Sequence, residues 1–197
     1  VYTSRVDAVL REDGDAVAGA RRGDSAAFGV LVERYQEVAF RAAYLIVRDA
    51  GIAEDVAQEA FVRAFRKIDG FRAGEPFRPW LLRIVTNVAL NEVRARTRRR
   101  GLFERAAVFA DREMPSAVEA LEAQDEASLV LRAINELPTD DRLVLYLRYF
   151  LELPEQEIAQ TIGKAPGTVK SRLHRASGRL RALIEQKYPQ LRERDDG

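Results

Sequence analysis

Apolar residues recur every three to four positions along almost the whole chain, and this spacing limits the fold more than any other feature. Phe28, Leu31, Tyr35, Val38 and Ala42, for example, would share one face of a helix. The sequence lacks runs in which apolar and polar residues alternate, and it has no Asn-Gly or Asp-Gly turn between β-branched segments. It therefore predicts an all-α protein.

Capping and turn residues divide the first part of this pattern into helices. Asp24 suits the N-cap of a helix that reaches about Arg48. A second helix is expected over residues 53–68, with Glu54 and Asp55 in its first turn. A segment with two glycines and two prolines, DGFRAGEPFRP, follows; we call it the Gly/Pro loop (residues 69–79). It leads into a long helix expected over residues 79–98.

The last third of the chain predicts four shorter helices from residue 128 onwards. Thr139 is the expected cap of the second, Pro154 begins the third, and Gly163 ends it. We therefore expect two small helical domains at residues 15–100 and 128–187, joined by an acidic linker at residues 101–127. The tail RERDDG is expected to be disordered, and residues 1–16 match no element that we can assign.

Composition excludes several kinds of chemistry. The 197 residues include no cysteine and one histidine, His174, so disulfides, thiolate chemistry and multi-histidine metal sites are ruled out and a histidine-based triad is disfavoured. No apolar run approaches the roughly 20 residues of a membrane span. The N-terminus lacks the pattern of a secretion signal. We expect a cytoplasmic protein without a cofactor or membrane insertion.

Charge is unevenly distributed, although the formal net charge is only +1. Two basic clusters flank an acidic segment, and such local patches decide which polyanions a surface attracts. The first basic cluster lies at residues 94–105, the acidic segment at 111–126 and the second basic cluster at 164–181.

The segment EIAQTIGKAPGTVKSRLHRA predicts two helices joined by a short turn that contains glycine, which is a helix-turn-helix. On the second helix, Val169, Leu173 and Ala176 would face the core, followed by Leu180 and Leu183. The opposite side, which we call the recognition face, comprises Lys170, Ser171, His174, Arg175 and Gly178. Its first residues suit base edges, whereas Arg172, Arg179 and Arg181 suit phosphates. A solvated basic face is the plainer interpretation.

A second polar surface follows the Gly/Pro loop. Arg83, Asn87, Asn91, Arg94 and Arg98 are spaced three or four residues apart and form what we call the polar stripe. Phe71, Phe77 and Trp80 precede it. Aromatic rings beside a cationic track are typical of a surface that binds single-stranded nucleic acid. Each ring fits a core position equally well, and a solvated end of the helix would also explain the arginines.

Three segments, taken in order, resemble the extracytoplasmic-function sigma factors, the smallest class of the bacterial sigma-70 family. They are AEDVAQEAFVRAFRKI, FRPWLLRIVTNVALNEVRARTRRR and LPTDDRLVLYLRYFLELPEQEIAQTIGKAPGTVKSRLHRA. The resemblance covers residues 24–100 and 128–187, and it implies a two-domain protein that directs RNA polymerase to promoters.

The resemblance also implies roles for particular residues. Core polymerase would be bound through its β′ clamp helices and β flap, and the −10 element would be recognised and melted by the Gly/Pro loop and the following helix. The helix-turn-helix would read the −35 element, and an anti-sigma factor is a further expected partner. The core-binding candidates are Asp55, Gln58, Glu59 and Val62; the −10 candidates are Phe71, Phe77, Arg78, Trp80, Arg83, Asn87, Asn91, Arg94 and Arg98; the −35 candidates are Thr168, Lys170, Ser171, Arg172, His174, Arg175 and Arg179.

The sequence departs from the family at one position, and it leaves two alternative functions to weigh. Ala165 stands where the family often has a small polar helix cap, and Pro166 partly compensates at the first helical position. A two-domain regulator that binds a duplex operator would need the helix-turn-helix but not the aromatic residues beside the polar stripe. An enzyme that uses Glu54, Asp55 or Glu59 is disfavoured, because no histidine or cysteine is near them in the sequence.

Overall fold

A computed structural model of the protein describes residues 2–106, 126–188 and 191. Within them the chain is helical, without a β-strand, as the spacing of apolar residues predicts. The expected linker lies mostly outside the described residues, and so does the expected disordered tail. The helices are α1 (Tyr2–Arg21), α2 (Ser25–Val47), α3 (Ala50–Arg66), α4 (Phe77–Ala106), α5 (Glu126–Asn135), α6 (Thr139–Leu145), α7 (Glu155–Ile162) and α8 (Pro166–Lys187).

Aspartate caps fix the starts of α2 and α3. The Asp24 carboxylate accepts from the backbone N–H groups of Ala26 and Ala27, at 2.9 and 3.1 Å, which confirms the predicted cap. Asp49 accepts from the N–H of Ile52 at 3.0 Å in the same way. The helix therefore begins at residue 50 rather than at 53. Glu54 and Asp55 lie beyond its first turn, contrary to our expectation.

The long helix α4 exceeds its predicted length at both ends. It begins at Phe77, inside the Gly/Pro loop, and continues to Ala106. The boundary that we expected between residues 100 and 101 therefore lies within a helix. A short 3-10 turn, Ile68–Gly70, connects α3 to what remains of the loop.

The N-terminal segment forms α1, an element that we could not assign from the sequence. Its residues Ala16, Val17 and Ala20 are buried against the other helices of the first unit. A side chain at Gly19 would meet the Ala27 Cβ at 2.5 Å, so only glycine permits this approach of α1 to α2. The first unit is thus a bundle of α1 to α4.

The second unit contains α5 to α8. Thr139 is the first residue of α6 and Pro138 occupies the N-cap, so the expected side-chain cap is wrong. A π-helical turn, Tyr146–Phe150, continues α6. Gly163 ends α7 with a left-handed conformation (φ 65°), as the sequence predicts. Pro166 begins α8, and Ala165 provides no side-chain cap, also as predicted.

One hydrophobic core runs through both units, because α7 packs directly on α4. Phe77, Leu81 and Val85 of α4 are fully buried, as are Leu153 and Ile158 around α7. The two units therefore form a single body here, with the Gly/Pro loop and the start of α4 at their junction.

Candidate nucleic-acid interface

The recognition face lies on the outer side of α8. Val169 and Ala176 are fully buried, and Leu173 is 8% exposed, as the helical spacing predicts. Lys170, Ser171, His174, Arg175 and Gly178 are all exposed, and so is Thr168. Lys170, His174 and Arg175 have no hydrogen-bond or ion-pair partner among the described residues. Their donors are therefore available to a polyanion.

Two arginines of α8 have partners inside the second unit. Arg172 forms an ion pair with Asp140, and Arg179 forms one with the buried Asp141, at the start of α6. Carboxylates in a first helical turn also suit the helix dipole. These pairs tie α8 to α6, so both arginines have a structural role here. Their contact with phosphate stays a prediction.

The polar stripe lies on the surface of α4. Its residues Arg83, Asn87, Asn91, Arg94 and Arg98 are all exposed. Asn91 accepts a long hydrogen bond of 3.5 Å from Arg94. Arg98 has no ion-pair or hydrogen-bond partner among the described residues. The surface thus presents amides and guanidiniums over four helical turns, and these groups bind phosphates and base edges.

The neighbouring arginines of α4 differ from the stripe because carboxylates neutralise them. Glu92 pairs with Arg96 at 3.5 Å and with Arg99 at 3.0 Å. Arg96 also lies 3.7 Å from Asp49, the cap of α3. Part of the basic cluster therefore stabilises the packing of α4 on α3, while the stripe remains unneutralised.

Three aromatic rings pack together where the Gly/Pro loop enters α4. The Phe71 centroid lies 5.6 Å from that of Phe77 and 5.2 Å from that of Trp80, and the Phe77 and Trp80 centroids are 5.4 Å apart. Phe77 is fully buried and Phe71 is 4% exposed, whereas Trp80 is half-buried. Burial gives the two phenylalanines a supporting position in this conformation. Trp80 is the ring with a surface that DNA can reach, and direct contact of all three stays a prediction.

A cavity of about 460 Å³ opens beside Trp80. The loop residues Phe71, Arg72 and Glu75 form one wall, and Arg83 of the polar stripe contributes to another. The cavity therefore combines aromatic surface, guanidinium donors and a carboxylate acceptor, the groups that hold an unstacked base. Its full lining is Gly70, Phe71, Arg72, Glu75, Pro76, Trp80, Arg83 and Gln160.

The predicted polymerase-binding residues lie on the outer side of α3. Asp55, Gln58 and Val62 are exposed and Glu59 is half-buried, paired at 2.7 Å with Arg63. Val62 is 43% exposed, so this surface has an apolar as well as an acidic part. Asp55 and Glu59 also line a groove of about 580 Å³ that Asn91 and Arg98 line from α4. The two predicted surfaces therefore adjoin.

Arginines of the first unit hold the second unit at the junction. Arg41 donates to the carbonyl of Phe150 at 2.8 Å, and Arg78 donates to that of Leu151 at 2.9 Å. Arg78 also lies 4.0 Å from Glu157, whose pKa is raised by burial and only partly lowered by Arg78. Arg78, a candidate for DNA contact, is thus engaged by the second unit in this conformation.

Sequence reasoning missed several residues around the cavity. Arg72 and Glu75 lie in the Gly/Pro loop, and their polar character in a loop beside aromatics was the available signal. Gln160 reaches the cavity from α7, where it donates to Glu75 at 3.4 Å. No sequence pattern places Gln160 there, because the contact depends on how the two units pack.

Two further findings concern the described part of the chain. It contains no helix with the length and apolar character needed to cross a membrane. The same residues contain no cluster of three or more side chains suited to holding a metal ion.

Comparison with known proteins agrees with this geometry: two helical units, one with a helix-turn-helix and one with an amide- and arginine-rich helix beside an aromatic cluster. The family model described as Sigma-70 region 2 matches residues 31–99, and that described as Sigma-70, region 4 matches residues 127–180. The chain belongs to the sigma-70 family of RNA polymerase sigma factors, within its ECF group, which confirms the resemblance.

Curated relatives match over most of their length. The RNA polymerase sigma-H factor of Pseudomonas aeruginosa is 37% identical over 92% of this chain and 97% of its own. The ECF RNA polymerase sigma-E factor of Escherichia coli K12 is 34% identical over 89% and 93%. The ECF RNA polymerase sigma factor SigW of Bacillus subtilis is 32% identical over 83% and 92%.

Two solved structures share the fold, and each is a complex with a second protein. CnrH in complex with the cytosolic domain of CnrY superposes with a TM-score of 0.68 at 27% identity, over 89% of this chain and 99% of that one. The sigma factor RpoE of Bartonella quintana, in complex with the anti-sigma factor NepR, gives 0.56 at 26% identity, over 81% and 98%.

Proposed function

We propose that this protein binds core RNA polymerase and makes transcription initiation promoter-specific, with α8 reading the −35 element and α4 with the Gly/Pro loop recognising and melting the −10 element. The observation that carries the proposal is the division of exposed donors between two surfaces. The recognition face suits the major groove of a duplex, and the polar stripe beside Trp80 suits a separated strand.

The proposed partners follow from the surfaces. The α3 surface around Asp55, Gln58, Glu59 and Val62 would bind the clamp helices of the polymerase β′ subunit, and the second unit would bind the β flap. An anti-sigma factor is a further proposed partner, because the similar sigma factor RpoE of Bartonella quintana is seen in complex with the anti-sigma factor NepR. The protein itself would catalyse no reaction and would act in the cytoplasm.

The competing function is that of a two-domain regulator that binds a duplex operator. Such a protein would need the recognition face, but it would have no use for the polar stripe and the cavity beside Trp80. The presence of both surfaces on one chain favours the sigma-factor function.

The test is transcription in vitro with core polymerase on a library of genomic fragments, with start sites mapped. Core polymerase with this protein should initiate from a defined set of sites that share −35 and −10 elements, and should bind single-stranded −10 DNA. Core-independent binding to duplex DNA alone, without initiation, would favour the regulator.

A further inference from the structure

The C-terminal residue of α1, Arg21, reaches across to the turn at residues 68–71, where the Gly/Pro loop begins. Its Nε donates to the carbonyl of Ile68 at 3.2 Å and its Nη2 to that of Asp69 at 3.4 Å. The same Nη2 donates to the carbonyl of Phe71. One guanidinium therefore binds three carbonyls of a single turn, which its planar fork of donors permits.

The Ile68 carbonyl also accepts from the N–H of Phe71 at 3.1 Å, so Arg21 adds a second, charged donor there. At the carbonyls of Asp69 and Phe71 Arg21 is the donor. The turn follows the C-terminal end of α3, where a cation is favourable. Arg21 is itself exposed, so it contributes little to the core and its contacts to the turn are its main interaction.

Contacts between α1 and α2 hold the end of α1 that carries Arg21 in place. Asp13 is 3% exposed and binds both the Tyr35 hydroxyl and the Arg34 guanidinium of α2. Gly19, two residues before Arg21, allows α1 to approach α2 closely at Ala27. The backbone of α1 that carries Arg21 is therefore fixed relative to the bundle.

The turn that Arg21 binds is one wall of the cavity beside Trp80. Gly70 and Phe71 line this cavity, and the Phe71 ring packs edge-on against Trp80. The carbonyl of Phe71 is bound by Arg21 while its ring supports Trp80. A shift of this residue would move the ring, the cavity wall and the start of the loop together.

We propose that Arg21 is a positioning residue for the Gly/Pro loop, so that α1, which lies outside the matched sigma-70 regions, is part of the apparatus that opens the −10 element. The proposal rests on the proposed function. Arg21 does not touch DNA; it acts through the turn at residues 68–71. Its loss should leave polymerase binding and −35 recognition intact, because those surfaces lie on α3 and α8.

The experiment compares Arg21→Ala, Arg21→Lys and the matched control Arg22→Ala, which removes the neighbouring exposed arginine. Each variant is assembled with core polymerase on a promoter that the wild-type protein uses. The measurements are the rate at which −10 thymines become permanganate-reactive, the affinity for core polymerase and the affinity for −35 duplex. We expect the R21A opening rate to fall about tenfold, because the turn loses all three hydrogen bonds to the guanidinium and only part of that loss should reach the opening step; tenfold in rate corresponds to about 1.4 kcal/mol. R21K should fall less, since an ammonium can still reach one carbonyl.

Both binding affinities should stay within about twofold of wild type, and R22A should open the promoter normally. Normal opening by R21A, or an equal loss of core affinity and opening, would overturn the proposal. If R21A does not fold, R21K decides: a wild-type opening rate for R21K overturns it. Failure of the wild-type protein to open any promoter would instead refute the proposed function.

Discussion

The guanidinium of Arg83 lies next to Gly163, so a residue of the polar stripe is close to the turn of the helix-turn-helix. A Cβ at Gly163 would lie 3.1 Å from Nη2 of Arg83 and 3.3 Å from its Cζ. Gly163 also has φ of 65°, a conformation that costs a residue with a side chain about 1–2 kcal/mol. This glycine therefore serves both the end of α7 and the packing of α7 on α4.

Gly163→Ala should lower the free energy of unfolding by about 1–2 kcal/mol through its φ, and more through crowding of Arg83. The measurement is denaturant unfolding in the wild-type and Arg83→Ala backgrounds. The part of the stability loss that comes from crowding of Arg83 should vanish in the Arg83→Ala background. Gly178→Ala is the control, because Gly178 is exposed within α8 with open space around it, and there alanine should stabilise by about 0.5–1 kcal/mol. Wild-type stability of Gly163→Ala would contradict this account.

Removal of single donors from the recognition face should weaken −35 binding. If the side chain reads a base, Lys170→Ala or Arg175→Ala should each cost about 1–3 kcal/mol of binding free energy for the duplex. If it binds a phosphate, each substitution should instead lower the slope of log affinity against log salt concentration by about one. Titration of −35 duplex at several salt concentrations separates the two outcomes. Core-polymerase affinity should be unchanged.

Lys67→Ala is the matched control for these substitutions, since it removes the same charge from an exposed position at the end of α3. Its −35 affinity should equal that of the wild type. Equal losses of −35 and core affinity in the α8 variants would contradict the separation of the two surfaces.

Trp80→Ala should impair strand opening more than polymerase binding, because it removes the accessible ring of the aromatic cluster. It should also cost about 2–3 kcal/mol of stability, since the ring is half-buried against Phe71 and Phe77. Permanganate footprinting of the −10 element is the measurement. Trp80→Phe keeps most of the packing and should open DNA at an intermediate rate. A normal footprint with Trp80→Ala would count against the role of this ring.

The sequence predicted what depends on local spacing and failed where contacts span the chain. The buried side of α8 follows from the positions of Val169, Leu173 and Ala176, and the cap of α2 follows from Asp24. The start of α3 is predicted three residues late although Asp49 is a capping residue, because RDAGIAED has the composition of a turn and Glu54 and Asp55 suit a first helical turn. Each of these features depends on residues that lie only a few positions apart in the sequence.

The site itself needs tertiary contacts that no local pattern contains. Arg21 binds carbonyls 47 to 50 positions away, and Arg78 binds a carbonyl 73 positions away. The burial of Phe71 and Phe77 also depends on how α4 packs. From sequence, each ring fits both a core position and a DNA contact, and only the packing separates Trp80 from the other two.

Charge reversal on α3 should weaken assembly with core polymerase. Asp55→Arg places a cation on a surface that we expect to meet a basic partner, and affinity should fall about tenfold. Competition against a labelled sigma factor for core polymerase is the measurement. Glu33→Arg makes the same charge change at an exposed position of α2 and should bind normally. Equal losses of affinity in the two variants would contradict this prediction, because the effect would then come from the net charge of the protein and not from a specific contact at Asp55.

The attachment of α1 should weaken in alkali because of Tyr35. Burial, and then the Asp13 carboxylate, raise the pKa of Tyr35 above its usual value of 10.0, although Arg34 and Arg78 oppose the shift. The folded protein therefore keeps the hydroxyl proton at a pH where the unfolded chain loses it. The resulting stability is fully present below pH 10 and is lost as pH rises from there through the folded pKa.

Denaturant unfolding of wild type and Tyr35→Phe between pH 8 and about pH 11 measures this difference. Tyr35→Phe should be less stable by about 1.5–3 kcal/mol at pH 8, because Asp13 loses a hydrogen-bond donor. The gap should narrow above pH 10, since phenylalanine has no proton to lose. Tyr44→Phe alters a 41% exposed tyrosine on the same helix. It should change neither the stability at pH 8 nor the dependence of stability on pH. A gap that stays constant across this range would mean that the Tyr35 hydroxyl does not hold α1 to α2.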